Sequence, residues 1–436
     1  MPVKPIAIGV AMMALAAAIL LGVGGIRHRR WLSLLRIPPI VCCLWLVALL
    51  VPTVFGFAGP HPFFNMPAPV SSGSLVYLQV TPDPFKENAL LFGVSAQTGK
   101  TTWRHQLQSA TTHLVSDGKT LYTITQLSGS ISVAAFTGLD DTPLWRLALP
   151  GTHVNNSVFL VGGTLYLDAV STALSVRLLA IRPEDGEQLW SVPIDLANAN
   201  GPWNIAATAD ILYIQPNGST VQARSRADGK LLWSQTVETG NADAGGTITA
   251  GPNAVYVCAS YGAVTALAAT SGAVLWIYGS HEFFHSATFA GDTLYVTAQQ
   301  SANIGEGPET VYALDARIGA QRWRVATQSR NAGTLMLGDG RIFVQADDGI
   351  HALRLTDGAV LWQSDSHKNW TFAETSPLLG SVLYVSAMEI LPPETLTFFR
   401  PAKAQMYLYA VNAADGTAYW GATVGPVLTI SPHVSL

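Results

Sequence analysis

Residues 313 to 323 read Ala313-Leu314-Asp315-Ala316-Arg317-Ile318-Gly319-Ala320-Gln321-Arg322-Trp323. The pattern recurs eight times: a small residue precedes each tryptophan by ten positions, and a glycine usually precedes it by four. The eight tryptophans are Trp103, Trp145, Trp190, Trp233, Trp276, Trp323, Trp362 and Trp420, at intervals of 39 to 58 residues. Self-similarity of this period is typical of proteins built from stacked repeats.

Each repeat predicts short β-strands joined by tight turns. Runs such as Val311-Tyr312-Ala313-Leu314 favour strands, and pairs such as Asp357-Gly358 favour hairpin turns because glycine accepts positive φ. A further strand carries a central aromatic residue: Tyr77, Tyr122, Tyr166, Tyr213, Tyr256, Tyr295, Phe343 or Tyr384. Four strands per repeat are typical of a propeller blade, so we predict an all-β, eight-bladed β-propeller. Each tryptophan should pack between blades, since one blade cannot bury it alone.

The stretches 313–323 and 410–420 resemble the repeat of the PQQ-like, or quinoprotein-type, β-propeller family. The resemblance extends over residues 73–436, whereas the Gly-His and Trp-Asp pattern of WD40 repeats is absent. The sequence is similar to the non-catalytic branch of this family, which includes the outer-membrane assembly factor propellers. This similarity implies a binding role. The same resemblance implies the alternative of a PQQ-dependent oxidoreductase.

The resemblance also implies what such an oxidoreductase would need: adjacent cysteines near the cofactor, a stacking tryptophan, acidic or amide calcium ligands and an Asp base. The adjacent pair here, Cys42-Cys43, lies in an apolar run outside the repeats, and no repeat position matches the cofactor or calcium residues. We therefore expect no cofactor, neither PQQ nor calcium, and no catalytic or metal-binding residue.

Two apolar runs, residues 6–26 and 38–58, are each long enough to cross a bilayer and predict an N-terminal two-helix transmembrane hairpin. Arg27, Arg29, Arg30 and Arg36 lie between them, which places that loop in the cytoplasm and the C-terminal body outside. A cleaved signal peptide is the alternative for the first run and leaves the body on the same side. Residues 59–72 predict a proline-rich linker, and residues 73–436 the propeller.

The ring is expected to close through the C-terminus. Residues 429–434 resemble residues 374–379, which predict the first strand of the last repeat. The first repeat begins at Ser72-Gly73 without such a strand. We therefore expect the C-terminal strand to complete the first blade, which would remove open sheet edges.

The net charge of the predicted propeller indicates which classes of partner it can bind. Residues 59–436 contain 19 basic and 28 acidic residues, and an acidic body argues against nucleic-acid binding. The three cysteines form neither a disulfide framework nor a metal-ligand spacing.

The pentad His281-Glu282-Phe283-Phe284-His285 spells the zincin motif, which requires a helix to bring both histidines to one metal ion. Its position after Trp276 predicts a connector between blades, and on a strand the two histidines would lie about 13 Å apart. His281, Glu282 and His285 are therefore candidates for a ligand-contacting loop, with an ordinary structural role as the alternative.

A polar residue stands nine positions before the central aromatic in seven repeats: His113, Ser157, Asn204, Thr247, Ser286, Thr334 and Thr375. Equivalent positions in a ring share one environment, so these residues could line one mouth of the channel and bind a polar ligand or peptide. The alternative is that they satisfy local backbone groups.

Aromatic residues in the connectors suggest a partner interface: Trp203, Trp370 and the pair Phe398-Phe399 in a proline-flanked insertion. The insertion could instead dip into a membrane or fold over its own blade. Together these features predict an extracytoplasmic scaffold that binds an envelope protein or a small ligand.

Overall fold

The computed structural model describes a chain of β-strands. It divides into two compact units, Met1–Phe64 and Asn65–Leu436, and all of the described residues belong to the second. These residues are 69–80, 89–107, 112–137, 142–171, 175–194, 204–217, 219–237, 246–259, 262–299, 309–327, 332–346, 349–364, 370–372, 378–391 and 402–430. Within these ranges no helix is long and apolar enough to span a bilayer. The predicted spans, residues 6–26 and 38–58, lie outside them.

Sheets 1 to 4 each contain four antiparallel strands. The strands of sheets 1 and 2 are β1 (Val70–Ser72), β2 (Leu75–Val80), β3 (Ala89–Ser95), β4 (Thr101–Leu107), β5 (Thr112–Ser116), β6 (Leu121–Leu127), β7 (Ser130–Phe136) and β8 (Trp145–Pro150). Those of sheets 3 and 4 are β9 (Thr152–Val161), β10 (Thr164–Ser171), β11 (Val176–Ile181), β12 (Gln188–Ile194), β13 (Asn204–Ala207), β14 (Ile211–Asn217), β15 (Thr220–Ser225) and β16 (Leu231–Thr236).

Sheet 5 contains seven strands: β17 (Gly246–Ala250), β18 (Ala254–Ala259), β19 (Gly262–Ala268), β20 (Val274–Ala290), β21 (Thr293–Gln299), β22 (Glu309–Asp315) and β23 (Gln321–Ala326). Sheet 6 contains β24 (Ala332–Gly338), β25 (Arg341–Ala346), β26 (Gly349–Arg354) and β27 (Val360–Gln363). Sheet 7 contains β28 (Trp370–Phe372), β29 (Leu378–Leu379), β30 (Val382–Leu391), β31 (Ala402–Asn412) and β32 (Ala418–Ile430), with β28 and β29 both pairing with β30.

Strand β20 joins two halves of sheet 5. Its first part pairs with β19 and ends at Glu282 opposite Gly262, and its second part begins at Phe283 opposite Gln299 and pairs with β21. We call the half before this changeover 5a and the half after it 5b. One continuous strand therefore serves as the fourth strand of 5a and the first strand of 5b.

The first strands of consecutive sheets contact one another from β1 through β24. At the start of this series the Gly73 backbone N–H donates to the Gly118 carbonyl at 2.6 Å. The central aromatic residues, among them Tyr166 and Tyr213, are fully buried in the second strands. The core therefore consists of apolar layers between successive sheets, as a propeller requires.

The repeated tryptophans pack between sheets, as the sequence predicts. We call each contact between one sheet or half-sheet and the next a seam. In sheet 4, the Trp233 indole N–H donates to the Ala269 carbonyl of half 5a at 3.0 Å, and the ring covers Gly272. Gly272 has a φ of 71°. A Cβ there would lie 2.6 Å from the indole, so both the turn and the packing require glycine.

The last sheet reaches the first sheet through the same contact. The Trp420 indole N–H and the Tyr384 hydroxyl both donate to the Ala96 carbonyl, each at 3.1 Å. This tryptophan seam joins the two ends of the repeat array.

The expected exchange of the C-terminal strand is wrong for the residues that the structure describes. Val70–Ser72 form a first strand in sheet 1, whereas Thr429 and Ile430 pair with Lys403 and Ala402 inside sheet 7. The propeller therefore starts within the predicted linker, at a strand too short for its sequence pattern to reveal. Residues 431–436 lie outside the described ranges.

Candidate functional site

The predicted polar positions fall in the first strands. His113 lies in β5 opposite Ile124, and Asn204 lies in β13 opposite Gln215. Thr247 lies in β17, and Ser286 lies in the second part of β20. Ser157 and Thr334 belong to β9 and β24, and residue 375 lies outside the described part of the chain.

Two of these positions show different properties. Burial lowers the pKa of His113 below its usual value of 6.5, so its imidazole is neutral at pH 7 and offers one donor and one acceptor. The Ser286 hydroxyl accepts a hydrogen bond from the Leu335 backbone N–H at 3.2 Å and so ties half 5b to sheet 6. Ser286 therefore has the structural role that the sequence analysis gives as the alternative.

The zincin-like pentad lies in a strand. His281 to His285 occupy the changeover of β20, which confirms that this segment connects two repeats. The Glu282 carboxylate accepts a hydrogen bond from the Tyr312 hydroxyl at 2.8 Å. Among the described residues no group of three or more His, Cys, Asp or Glu side chains could hold a metal ion.

The connector aromatics remain predictions. Trp203, Phe398 and Phe399 lie outside the described residues. The backbone of Trp370 lies in β28 opposite Glu389. Of these four aromatics the described ranges include only Trp370, which lies in the first strand of sheet 7.

A polar cavity lies at a seam that the sequence analysis did not single out. It has a volume of about 110 Å³ and lies between sheets 1 and 2. Its polar lining residues are His105, Gln106, Thr123, Thr125, Ser132 and Arg146. The sequence contains a sign of this cavity. In the second repeat Thr123 follows the central aromatic residue, whereas the other seven repeats have leucine, isoleucine or valine at that position.

An ion cluster supports the seam-side turns of half 5b. The Arg322 guanidinium donates to Asp292 at 2.7 Å and to Asp315 at 2.8 Å. The hydrogen bond from Arg322, with a smaller contribution from Thr293, lowers the pKa of Asp292 to about 2. All three residues lie beside turns of the repeat, which indicates a structural role.

A PQQ and calcium pair is the cofactor set that the quinoprotein resemblance implies. Calcium binds clustered oxygen ligands, mainly carboxylates and carbonyls. Within the described ranges, no group of three or more acidic, histidine or cysteine side chains could hold a metal ion, and the expected absence of PQQ and calcium stays a prediction. No reaction step is assigned to this pair.

Successive four-stranded sheets, tryptophan seams and a contact between the last and first sheets define an all-β propeller of PQQ-like repeats. The family model described as outer membrane protein assembly factor BamB matches residues 87–276 and 260–427. The chain belongs to this family.

Solved structures show the same fold at low sequence identity. Quinohemoprotein alcohol dehydrogenase ADHIIG from Pseudomonas putida HK5 is 13% identical, with a TM-score of 0.56, and the match covers 83% of this chain and 76% of that one. Saccharomyces cerevisiae Sqt1 is also 13% identical, with a TM-score of 0.54 and coverages of 84% and 96%. BamB from Moraxella catarrhalis is 13% identical, with a TM-score of 0.49 and coverages of 71% and 95%. No curated protein sequence matches the chain.

Proposed function

We propose that this chain is an eight-bladed, membrane-anchored propeller that binds an envelope protein or a small ligand on the extracytoplasmic side. The observation that carries the proposal is the family match, which spans both halves of the repeat array and whose family is named for an assembly factor. Halves 5a and 5b count as two blades because each has four strands and its own tryptophan. With the six other sheets they give eight blades.

The structural role of the repeated residues supports a binding function. The tryptophans and the turn glycines hold the seams together, so the residues that define the repeat are occupied in the framework. Recognition then falls to residues that differ between repeats, such as His113 and Asn204 in the first strands. A rigid framework that presents variable side chains is the usual arrangement for a binding surface.

Site-specific photo-crosslinking of the full chain in its native membrane tests this role. A photoreactive phenylalanine at Asn204 should give a discrete adduct with one protein. The matched control is Leu189, which is 42% exposed on the outer strand β12. Equal adducts at both positions, or none at Asn204, would contradict binding through the first-strand face.

The location rests on residues 6–26 and 38–58 and on the arginines between them. A C-terminal alkaline phosphatase fusion should be active, since that enzyme needs an oxidising compartment, and a C-terminal fluorescent protein that folds only in the cytoplasm should stay dark. The reverse pattern would place the propeller in the cytoplasm.

The second candidate is a quinoprotein-like oxidoreductase. The fold likeness to the quinohemoprotein alcohol dehydrogenase favours it. It requires PQQ and calcium to bind, and a titration of both decides between the two candidates.

A further inference from the structure

The seam between sheets 1 and 2 differs from the others in its sequence and in the polar residues that line it. At the seven other seams a tryptophan indole N–H donates to a backbone carbonyl of the next sheet at 2.8–3.1 Å. The corresponding Trp103 N–H and the nearby Tyr77 hydroxyl are buried and have no hydrogen-bond partner among the described residues, and residue 138, which is equivalent to the acceptor of the other seams, lies outside them. The sequence differs at the same place, because Asp141 replaces the glycine that precedes the other tryptophans by four.

The cavity of about 110 Å³ lies at this seam. Its walls are the inward face of β4, which carries His105, and strands β6, β7 and β8 of sheet 2. One water occupies about 30 Å³ in the liquid, so the cavity has room for a group of several non-hydrogen atoms.

Thr123 places a hydroxyl group at a position that is aliphatic in the other repeats. Its counterparts in the seven other repeats are Leu78, Leu167, Ile214, Val257, Val296, Val344 and Val385. The Thr123 side chain is 4% exposed, lines the cavity and makes no hydrogen bond with the described residues. A ligand in the cavity that hydrogen-bonds to the Thr123 hydroxyl would take the place of the water that an accessible polar group otherwise binds.

The charge of the cavity selects an anion. Arg146 is an exposed residue of β8 that lines the cavity and makes no ion pair or hydrogen bond with the described residues, and none of the lining residues is acidic. His105 stays in place by stacking on Trp103, with ring centroids 5.6 Å apart and planes within 4°. A guanidinium binds a planar carboxylate through two parallel hydrogen bonds.

We propose that this seam holds a binding site for a single carboxylate group. Arg146 binds the carboxylate oxygens, the Thr123 hydroxyl donates a hydrogen bond to one of them, and His105 lines the opposite wall. The carboxylate belongs either to a free short-chain acid or to the C-terminus of a peptide. The site does not depend on the proposed scaffold role, because a free acid would fill it without any protein partner.

Calorimetric titration of the full-length protein in detergent, in Tris-chloride at pH 7 and low salt, tests the site. The probes are propionate, an N-acetylated trialanine with a free C-terminal carboxylate, and the same peptide as its C-terminal amide. Arg146→Gln should weaken carboxylate binding at least about tenfold, and Thr123→Val about two- to tenfold. The matched control is Arg104→Gln, because Arg104 lies on the opposite face of β4 over the Phe92 ring and should leave binding unchanged.

Thr123→Val introduces an aliphatic side chain of the kind that the other repeats have, so the variant should fold with an unchanged or higher unfolding midpoint. Binding of propionate alone identifies a free acid, and binding of the free peptide but not its amide identifies a peptide terminus. The proposal is overturned if neither carboxylate probe binds, if the amide binds as well as the free peptide, or if both cavity variants bind like the unchanged protein.

Discussion

The tryptophan seam predicts a large and local effect for Gly319→Ala. Gly319 has a φ of 71°, where alanine costs about 1 kcal/mol relative to glycine. An added Cβ would lie 2.7 Å from the Trp276 indole, so the ring must move. Overpacking costs about 1–3 kcal/mol, and weakening the 3.1 Å hydrogen bond from Trp276 to Ala316 costs about 1 kcal/mol more. We expect a total loss of about 3–5 kcal/mol.

Gly291→Ala is the matched control in the same sheet. Gly291 has a φ of 64°, and an added Cβ there meets nothing within 4 Å. It should lose about 1 kcal/mol, from backbone strain alone. The assay is guanidinium unfolding of both full-length variants, followed by tryptophan fluorescence. Equal unfolding midpoints would refute the argument that the indole contact, rather than the turn conformation, makes Gly319 necessary.

Three further predictions concern single side chains. Phe343→Tyr should raise the free energy of unfolding by up to about 1 kcal/mol in chemical denaturation, because the Ala413 carbonyl that accepts the tryptophan N–H would also accept the new hydroxyl. A lower value would show that the hydroxyl does not fit. Cys258 is fully buried and burial raises the pKa of its thiol, so a maleimide should label it at pH 7 only after unfolding, as mass spectrometry would show. Asp292 has a folded pKa of about 2, below its usual value of 3.8, so its contribution to stability is present above about pH 4 and lost towards pH 2. Arg322→Gln should raise that pKa towards 3.8 in an NMR titration, and an unchanged value would exclude the arginine as its cause.

The fold follows from the sequence because the repeat residues act locally and identically. At seven seams the tryptophan meets a turn glycine one sheet further on, as Trp233 meets Gly272. Eight copies of one pattern therefore predict the sheets and their packing. The changeover at Glu282 is also predictable, because it lies between the tryptophan of one repeat and the aromatic residue of the next.

Pattern comparison is less reliable at the chain ends. Val70–Ser72 form a strand of three residues, too short to show a period, while Thr429 and Ile430 extend a long strand of sheet 7. Which strand a terminal segment pairs with depends on which sheet edge is unpaired, and the sequence pattern of the segment does not show that.

The cavity between sheets 1 and 2 does not follow from the repeat pattern for a related reason. Thr123 departs from an otherwise aliphatic position, and this departure is visible in the sequence. Its importance depends on the facing strand, where His105 and Trp103 stack. Alignment of repeats shows which residues are equivalent but not which residues meet across a seam.

We propose that this PQQ-like propeller acts by binding rather than by redox catalysis. A titration of the full-length protein with PQQ and calcium, following cofactor binding and the reduction of an artificial electron acceptor together, tests it most directly. We predict neither saturable PQQ binding nor dye reduction with any alcohol or sugar substrate supplied. Calcium-dependent binding accompanied by turnover would contradict the account and identify the chain as a membrane-tethered dehydrogenase.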